Sequence, residues 1–342
     1  MNPRTVVLTA TFALLAVALA LVSLSVGTTK LPLADVVQSL LGGGDGGTRL
    51  IVLELRLPRV ATGLLVGIAF AVSGALLQTL ARNALASPDI VGVNSGASAA
   101  AVAVIVLAGT GGGNISGFAA QVGIPLAAII GGLLATAVVG ALSIQRGVID
   151  AGRIVLIGVG VAAAANSLVA WLLVIGDVTD AGRAAAWLAG SLNARTWSDA
   201  TPVGIAVLLL LPVAMMFNRD LDALVLGDDV ASSLGVRVSR VRIALLVIAT
   251  VLAAMATSGA GPIAFIALVA PQIAQRLAKT ERPPLLTTAM LGALFVTAAD
   301  LVARNGLEVL RVGPYELPVG VVTAAAGAPY LLYLIGRQQK GR

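Results

Sequence analysis

The chain has no cysteine and no histidine. Without thiols there is no disulfide framework, thiolate nucleophile or cysteine metal site. Without imidazole it lacks the usual transition-metal ligand and the usual proton relay near neutral pH. Metal chemistry is therefore not expected of it. Charged residues make up 11% and aromatic residues 4% of the sequence, against about 25% charged in an ordinary soluble domain. So few aromatic residues also argue against stacking on a planar ligand such as haem or a corrin. The three lysines are Lys30, Lys279 and Lys340. Only Lys279 precedes a threonine, and it lacks the glycine-rich run that cradles phosphates in a P-loop. The chain is not an enzyme that hydrolyses ATP, and no cofactor is expected within it.

What remains is apolar: 58% hydrophobic residues and 39 glycines. Ten stretches stand out, at roughly 5–27, 60–81, 90–109, 122–144, 154–175, 200–217, 243–260, 261–275, 285–303 and 317–336. Most approach the ~20 residues that carry a helix across a ~30 Å hydrocarbon core. Gly259, Gly261 and Pro262 cut the 243–275 region into two shorter helices. The expected fold is an all-α polytopic membrane protein in one permease domain, 1–342. Asp300 is the one ionisable residue inside any stretch. A charge at mid-membrane is costly and normally marks an ion pathway, so little here could couple transport to a proton gradient.

Ten crossings put both termini on one side. With the N-terminus inside, 14 of the 22 basic residues fall in inner segments and 8 in outer ones. That bias obeys the positive-inside rule and makes both termini cytoplasmic in the cell (inner or plasma) membrane. The basic residues are scattered between the spans and form no nucleic-acid-binding stripe. The first apolar run is too long for a signal-peptide core, which makes it a membrane helix.

The outer arginines depart from this bias. Arg56 and Arg59 flank Pro58 in the string LRLPR (55–59), and Arg304 ends the ninth stretch. Headgroup contact or capping of helix ends accounts for a single such residue; the Arg56–Arg59 pair favours docking of an acidic partner. Asp300, four residues before Arg304, shares its helical face and holds it. Residues 31–41 carry an amphipathic helical face expected on the outer membrane surface, followed by a flexible linker at 42–47. The inner loop 218–242 reads as a knob of two short helices joined at Gly227, with Asp228 and Asp229 as caps and Gly235 as the stop. Its apolar residues, among them Leu221, Leu224, Leu226 and Leu234, favour insertion into another protein.

The string LRLPRVATGLLVGIAFAVSGALLQTLARNALASPDIVGVNSGA (55–97) resembles the signature of the iron-siderophore and vitamin B12 family of ABC-importer permeases. Residues 226–242, 261–277, 299–305 and 316–334 match further motifs in order, covering nearly the whole chain from residue 50. The resemblance implies a type II importer fold with ten transmembrane helices. It implies a second permease as partner, two cytoplasmic ATPases that bind ATP and Mg, and an extracytoplasmic siderophore-binding protein or lipoprotein. The family's binding-protein contacts fall on Arg56, Arg59 and Arg304. Its ATPase-coupling helices fall on about 221–236, including Leu221, Leu224, Leu226, Asp228, Asp229, Leu234 and Gly235. Its inner gate falls near Asp150, Ala151 and Gly152. Many members carry His where this chain has Gln272. The Gln, together with Ser87–Ile90, Gly92 and Asn94, is similar to a ferric-enterobactin-type branch that works as heterodimers. The resemblance implies a ferric siderophore as cargo and a paralogous permease as partner. The alternative is an ATP-independent secondary transporter or channel for a small solute, which normally needs intramembrane carboxylates or a lined filter; Asp300 is a poor candidate for that role. A membrane enzyme comes third, since the other carboxylates are confined to loops and form no catalytic cluster.

Overall fold

The computed structural model describes residues 2–27, 29–109, 118–145, 148–149, 151–309, 313 and 315–340. Helices α1 (Pro3–Ser25), α4 (Leu57–Ala81), α6 (Val93–Gly109), α7 (Phe118–Ser143) and α8 (Ala151–Ile175) occupy the first five apolar stretches. Helices α10 (Trp197–Met216), α13 (Val238–Ala260), α14 (Ile266–Ala278), α15 (Leu285–Val309) and α16 (Val319–Lys340) occupy the rest. Among the described residues, seven helices are long and apolar enough to cross a membrane, and α6 and α16 contribute shorter apolar segments. The exception is α14, 13 residues long and carrying Gln272, Gln275 and Arg276. It starts five residues later than the hydropathy predicts, because residues 261–265 run unwound after Gly261 adopts φ +75°. Short helices fill the connections: α2 (Leu33–Leu40), α3 (Gly46–Leu50), α5 (Pro88–Val91), α9 (Val178–Leu188), α11 (Asn218–Val225) and α12 (Asp228–Ser233). A two-residue antiparallel hairpin, Ile144–Gln145 against Val148–Ile149, precedes α8.

The outer connection is more helical than its glycines predict. Asp45 accepts bonds from the Gly47 and Thr48 amides and starts α3 at Gly46. A π-helical turn, Ile51–Arg56, then leads into α4.

The core is built around α4 and α13, whose central windows are 78% and 72% buried, against 17% for α1 and α8. In lipid, close packing must replace the hydrophobic force between helices, and glycine supplies it here. A Cβ on Gly67 would lie 2.3 Å from the Gly292 oxygen, and one on Gly292 2.3 Å from the Gly67 oxygen. Gly96 and Gly131 stand in the same reciprocal relation between α6 and α7. At Gly74 a Cβ would fall 1.8 Å from the Ala267 oxygen, so α4 and α14 touch backbone to backbone.

Candidate functional site

Three regions bear on function: an outer ionic cluster, the exposed face of α8, and the inner knob. At the outer end Arg59, in the first turn of α4, meets Asp300 on α15. Its Nε and Nη2 donate to Asp300 Oδ1 at 3.0 and 2.9 Å, and its Nη1 donates to Glu316 Oε2 at 3.0 Å. Asp300 also holds Arg304 Nε at 3.2 Å, the i, i+4 pair read from the sequence. Arg304 reaches Ser23 near the end of α1 as well. Asp300 is 2% exposed, so this carboxylate is compensated by two guanidiniums. Glu316 is the more open member, its side chain 39% exposed.

Arg56 sits apart from this cluster and is buried. Its Nη1 donates to Leu24 O at 2.6 Å, and Nη2 donates to Thr29 O. Leu24 lies in the last turn of α1, where a cation offsets the partial negative charge of the helix end. The structure therefore brings Arg59 and Arg304 together and places Arg56 as a strut for the outer end of α1.

The least covered spans differ in what they expose. Helices α1, α7 and α10 present large apolar residues such as Leu14, Leu134 and Leu208, which suit lipid. On α8 the exposed residues include Leu156, Val159, Leu168, Trp171 and Val174, and between them Gly160, Ala163, Asn166, Ser167 and Ala170. Ser167 returns its hydroxyl to Ala163 O at 2.9 Å. Asn166 is the one exposed carboxamide in a spanning helix among the described residues. Polar groups at membrane depth face protein or a water-filled cavity, which sets Asn166 and the small residues beside it apart from the apolar remainder of α8.

At the inner end, Gln272 on α14 donates to Gln78 Oε1 on α4 at 2.8 Å, and Gln78 donates to Leu268 O at 3.1 Å. The Ser87–Asn94 segment is likewise tied inward. Asn94 donates to Asp89 Oδ1 at 2.7 Å and accepts from Thr257 on α13 at 2.8 Å. Of the expected gate, Asp150 lies outside the described residues, Ala151 opens α8 and Gly152 is exposed.

The knob is α11 and α12, joined at Gly227 with φ +115° and closed at Gly235 with φ +86°. Its leucines divide by face. Leu221 and Leu224 are each 1% exposed and belong to the core, whereas Leu226 at 64% and Leu234 at 65% project outward, with Val230 beside them. Asp228 does not cap α12. Gly227 holds the cap position, and the carboxylate turns to Arg82 at the end of α4 and Arg242 at the start of α13. Asp229 is exposed. Arg282, from the α14–α15 turn, braces α11 through Asp222 Oδ1 at 2.6 Å and Asn218 Oδ1 at 3.0 Å. Among the described residues no group of three or more acidic side chains could hold a metal ion.

Comparison with known proteins places this architecture. The ferric enterobactin transport system permease protein FepG of Escherichia coli is 40% identical over 314 residues, 92% of this chain and 91% of that protein. The ferric enterobactin transport system permease protein FepD of the same organism is 38% identical over 96% of this chain and 94% of its own. A metal-chelate-type ABC transporter solved in an inward-facing conformation superposes with a TM-score of 0.80 at 26% identity, covering 96% of this chain and 98% of that one. Residues 14–337 match the FecCD transport family, and with relatives this similar over nearly its whole length, the chain belongs to that family.

Proposed function

We propose that this chain is one of two permease subunits of an ATP-driven importer for ferric siderophores in the inner or plasma membrane, with both termini cytoplasmic. The observation that carries a two-subunit path is Asn166, exposed at membrane depth on α8 among Gly160, Ala163, Ser167 and Ala170. A second permease opposite this face encloses a path that the single chain leaves open. Family membership supplies the remaining parts. Two ATPases bind ATP and Mg and seat on the knob through Leu226, Val230 and Leu234. An outer siderophore-binding protein or lipoprotein places acidic residues at the Arg59–Arg304 cluster. The exposed stripe of α2, Leu33, Val37 and Leu40, rests in outer-leaflet lipid.

The second permease is a paralogue in this reading. Two differently named permeases of one ferric enterobactin system both resemble this chain, and Gln272 and the Ser87–Asn94 segment match that branch. Mass spectrometry of the gently solubilised complex tests the pairing: two distinct permeases are expected, and two copies of this chain would overturn it. Liposomes holding the whole complex test the cargo. ATP-dependent uptake of radio-iron supplied as ferric enterobactin, ferric dicitrate or a ferric hydroxamate is expected for at least one chelate. ATP-independent uptake would instead favour a secondary transporter.

A further inference from the structure

Arg282 braces α11, and the second knob helix, α12, is tied to the body of the subunit through the Asp228 carboxylate. Asp228 Oδ1 accepts from Arg82 Nη2. Arg242 Nη2 donates to both carboxylate oxygens, at 3.0 Å to Oδ1 and 3.1 Å to Oδ2. Arg82 has a second task, since its Nε donates to Leu224 O at 2.9 Å in the last turn of α11. One guanidinium therefore grips both knob helices, α11 at its C-terminus and α12 at its N-terminus. Both contacts run with the helix dipoles, a cation at a C-terminus and an anion at an N-terminus. Among the described side-chain hydrogen bonds, those of Asp228 are the ones that leave α12 for another element.

The anchors are not loop residues. Arg82 terminates α4 in the left-handed conformation, φ 46°, and Arg242 lies in the second turn of α13 at 3% exposure. Among the seven long apolar helices of the described residues, these two are the most buried. At its far end α4 carries Arg59 and the outer cluster.

We propose that Asp228, Arg82 and Arg242 form a clasp that turns displacement of the knob into displacement of the buried α4–α13 pair. Asp228 is then a positioning residue for energy coupling and not an ATPase contact, although it stands in the segment that makes that contact. The clasp rests on the reading of α11–α12 as the ATPase seat; the exposed Leu226, Val230 and Leu234 make the seat, and the clasp carries its motion inward.

The test uses the full complex in liposomes with the ferric chelate that the wild-type complex takes up, beginning with ferric enterobactin. Asp228→Asn is expected to keep the ATPases bound and ATP hydrolysis running, while uptake per ATP falls roughly two- to thirtyfold, the range for residues within a coupling network. Asp228→Glu restores most of the ratio, and Arg82→Gln lowers it more mildly because Arg242 remains. An unchanged uptake-to-hydrolysis ratio in an intact Asp228→Asn complex overturns the proposal. So does failure of both Asp228→Asn and Arg82→Gln to assemble, which would make the clasp a folding element only. Failure of the underlying reading looks different: the ATPases would stay bound when Leu226 and Leu234 are replaced by Asp.

Discussion

Replacing Leu226 and Leu234 by Asp should release the ATPases from the permease while leaving the permease folded. Both side chains are about two-thirds exposed in the isolated subunit, so the fold itself gains little from them. In the assembled complex each would be buried, and burying a leucine is worth about 1.5–3 kcal/mol. Two such losses amount to roughly 3–6 kcal/mol, or about two to four decades in Kd. Leu224 gives the contrast. It is 1% exposed, packed in the core beneath the knob, and Leu224→Ala should cost about 2–5 kcal/mol of the permease's own stability. Co-purification reports the first effect, and thermal unfolding of the permease in detergent reports the second. ATPases retained at full stoichiometry by the Leu226→Asp, Leu234→Asp permease would refute the assignment of this surface. An equal loss of stability in both variants would refute the division of the knob into an outer and an inner face.

At the outer cluster, Arg59→Gln should weaken docking of the binding protein. Glu316→Gln should strengthen it by up to about fivefold by removing an exposed competitor worth ~0.2–1 kcal/mol, as read by surface binding to the reconstituted permease. Arg56→Glu should instead impair assembly, because a carboxylate would replace the cation on Leu24 O; normal assembly with lost uptake would show that Arg56 docks directly. Gly74→Val should abolish folded permease in membranes, because even a Cβ would lie 1.8 Å from the Ala267 oxygen.

The helices were legible in the sequence because most apolar stretches are long and separated by charged or glycine-rich segments, and the break before α14 because Gly261 and Pro262 stand together. The Asp300–Arg304 pair followed from i, i+4 spacing alone. The partnership of Asp300 with Arg59 spans 241 residues and depends on where α4 crosses α15, which no local pattern encodes. The same holds for Gln78 with Gln272. Periodicity marked the knob as apolar but could not say which leucines face inward, since α11 and α12 are too short for a clear stripe. Asp228 had the position of a helix cap, yet two distant arginines claim its carboxylate.

The crossing of α4 and α15 at Gly67 and Gly292 has a mechanical consequence. Most helix contacts are upholstered by side chains that can swap rotamers and let one rod creep past another. Here two bare backbones meet, and the Cβ of Ala71 already borders the space a methyl on Gly292 would need, at 2.4 Å. With no rotamers to exchange and no neighbouring register that fits, the joint behaves like a rivet. It lets the two helices move together as one body and resists the sliding of one along the other.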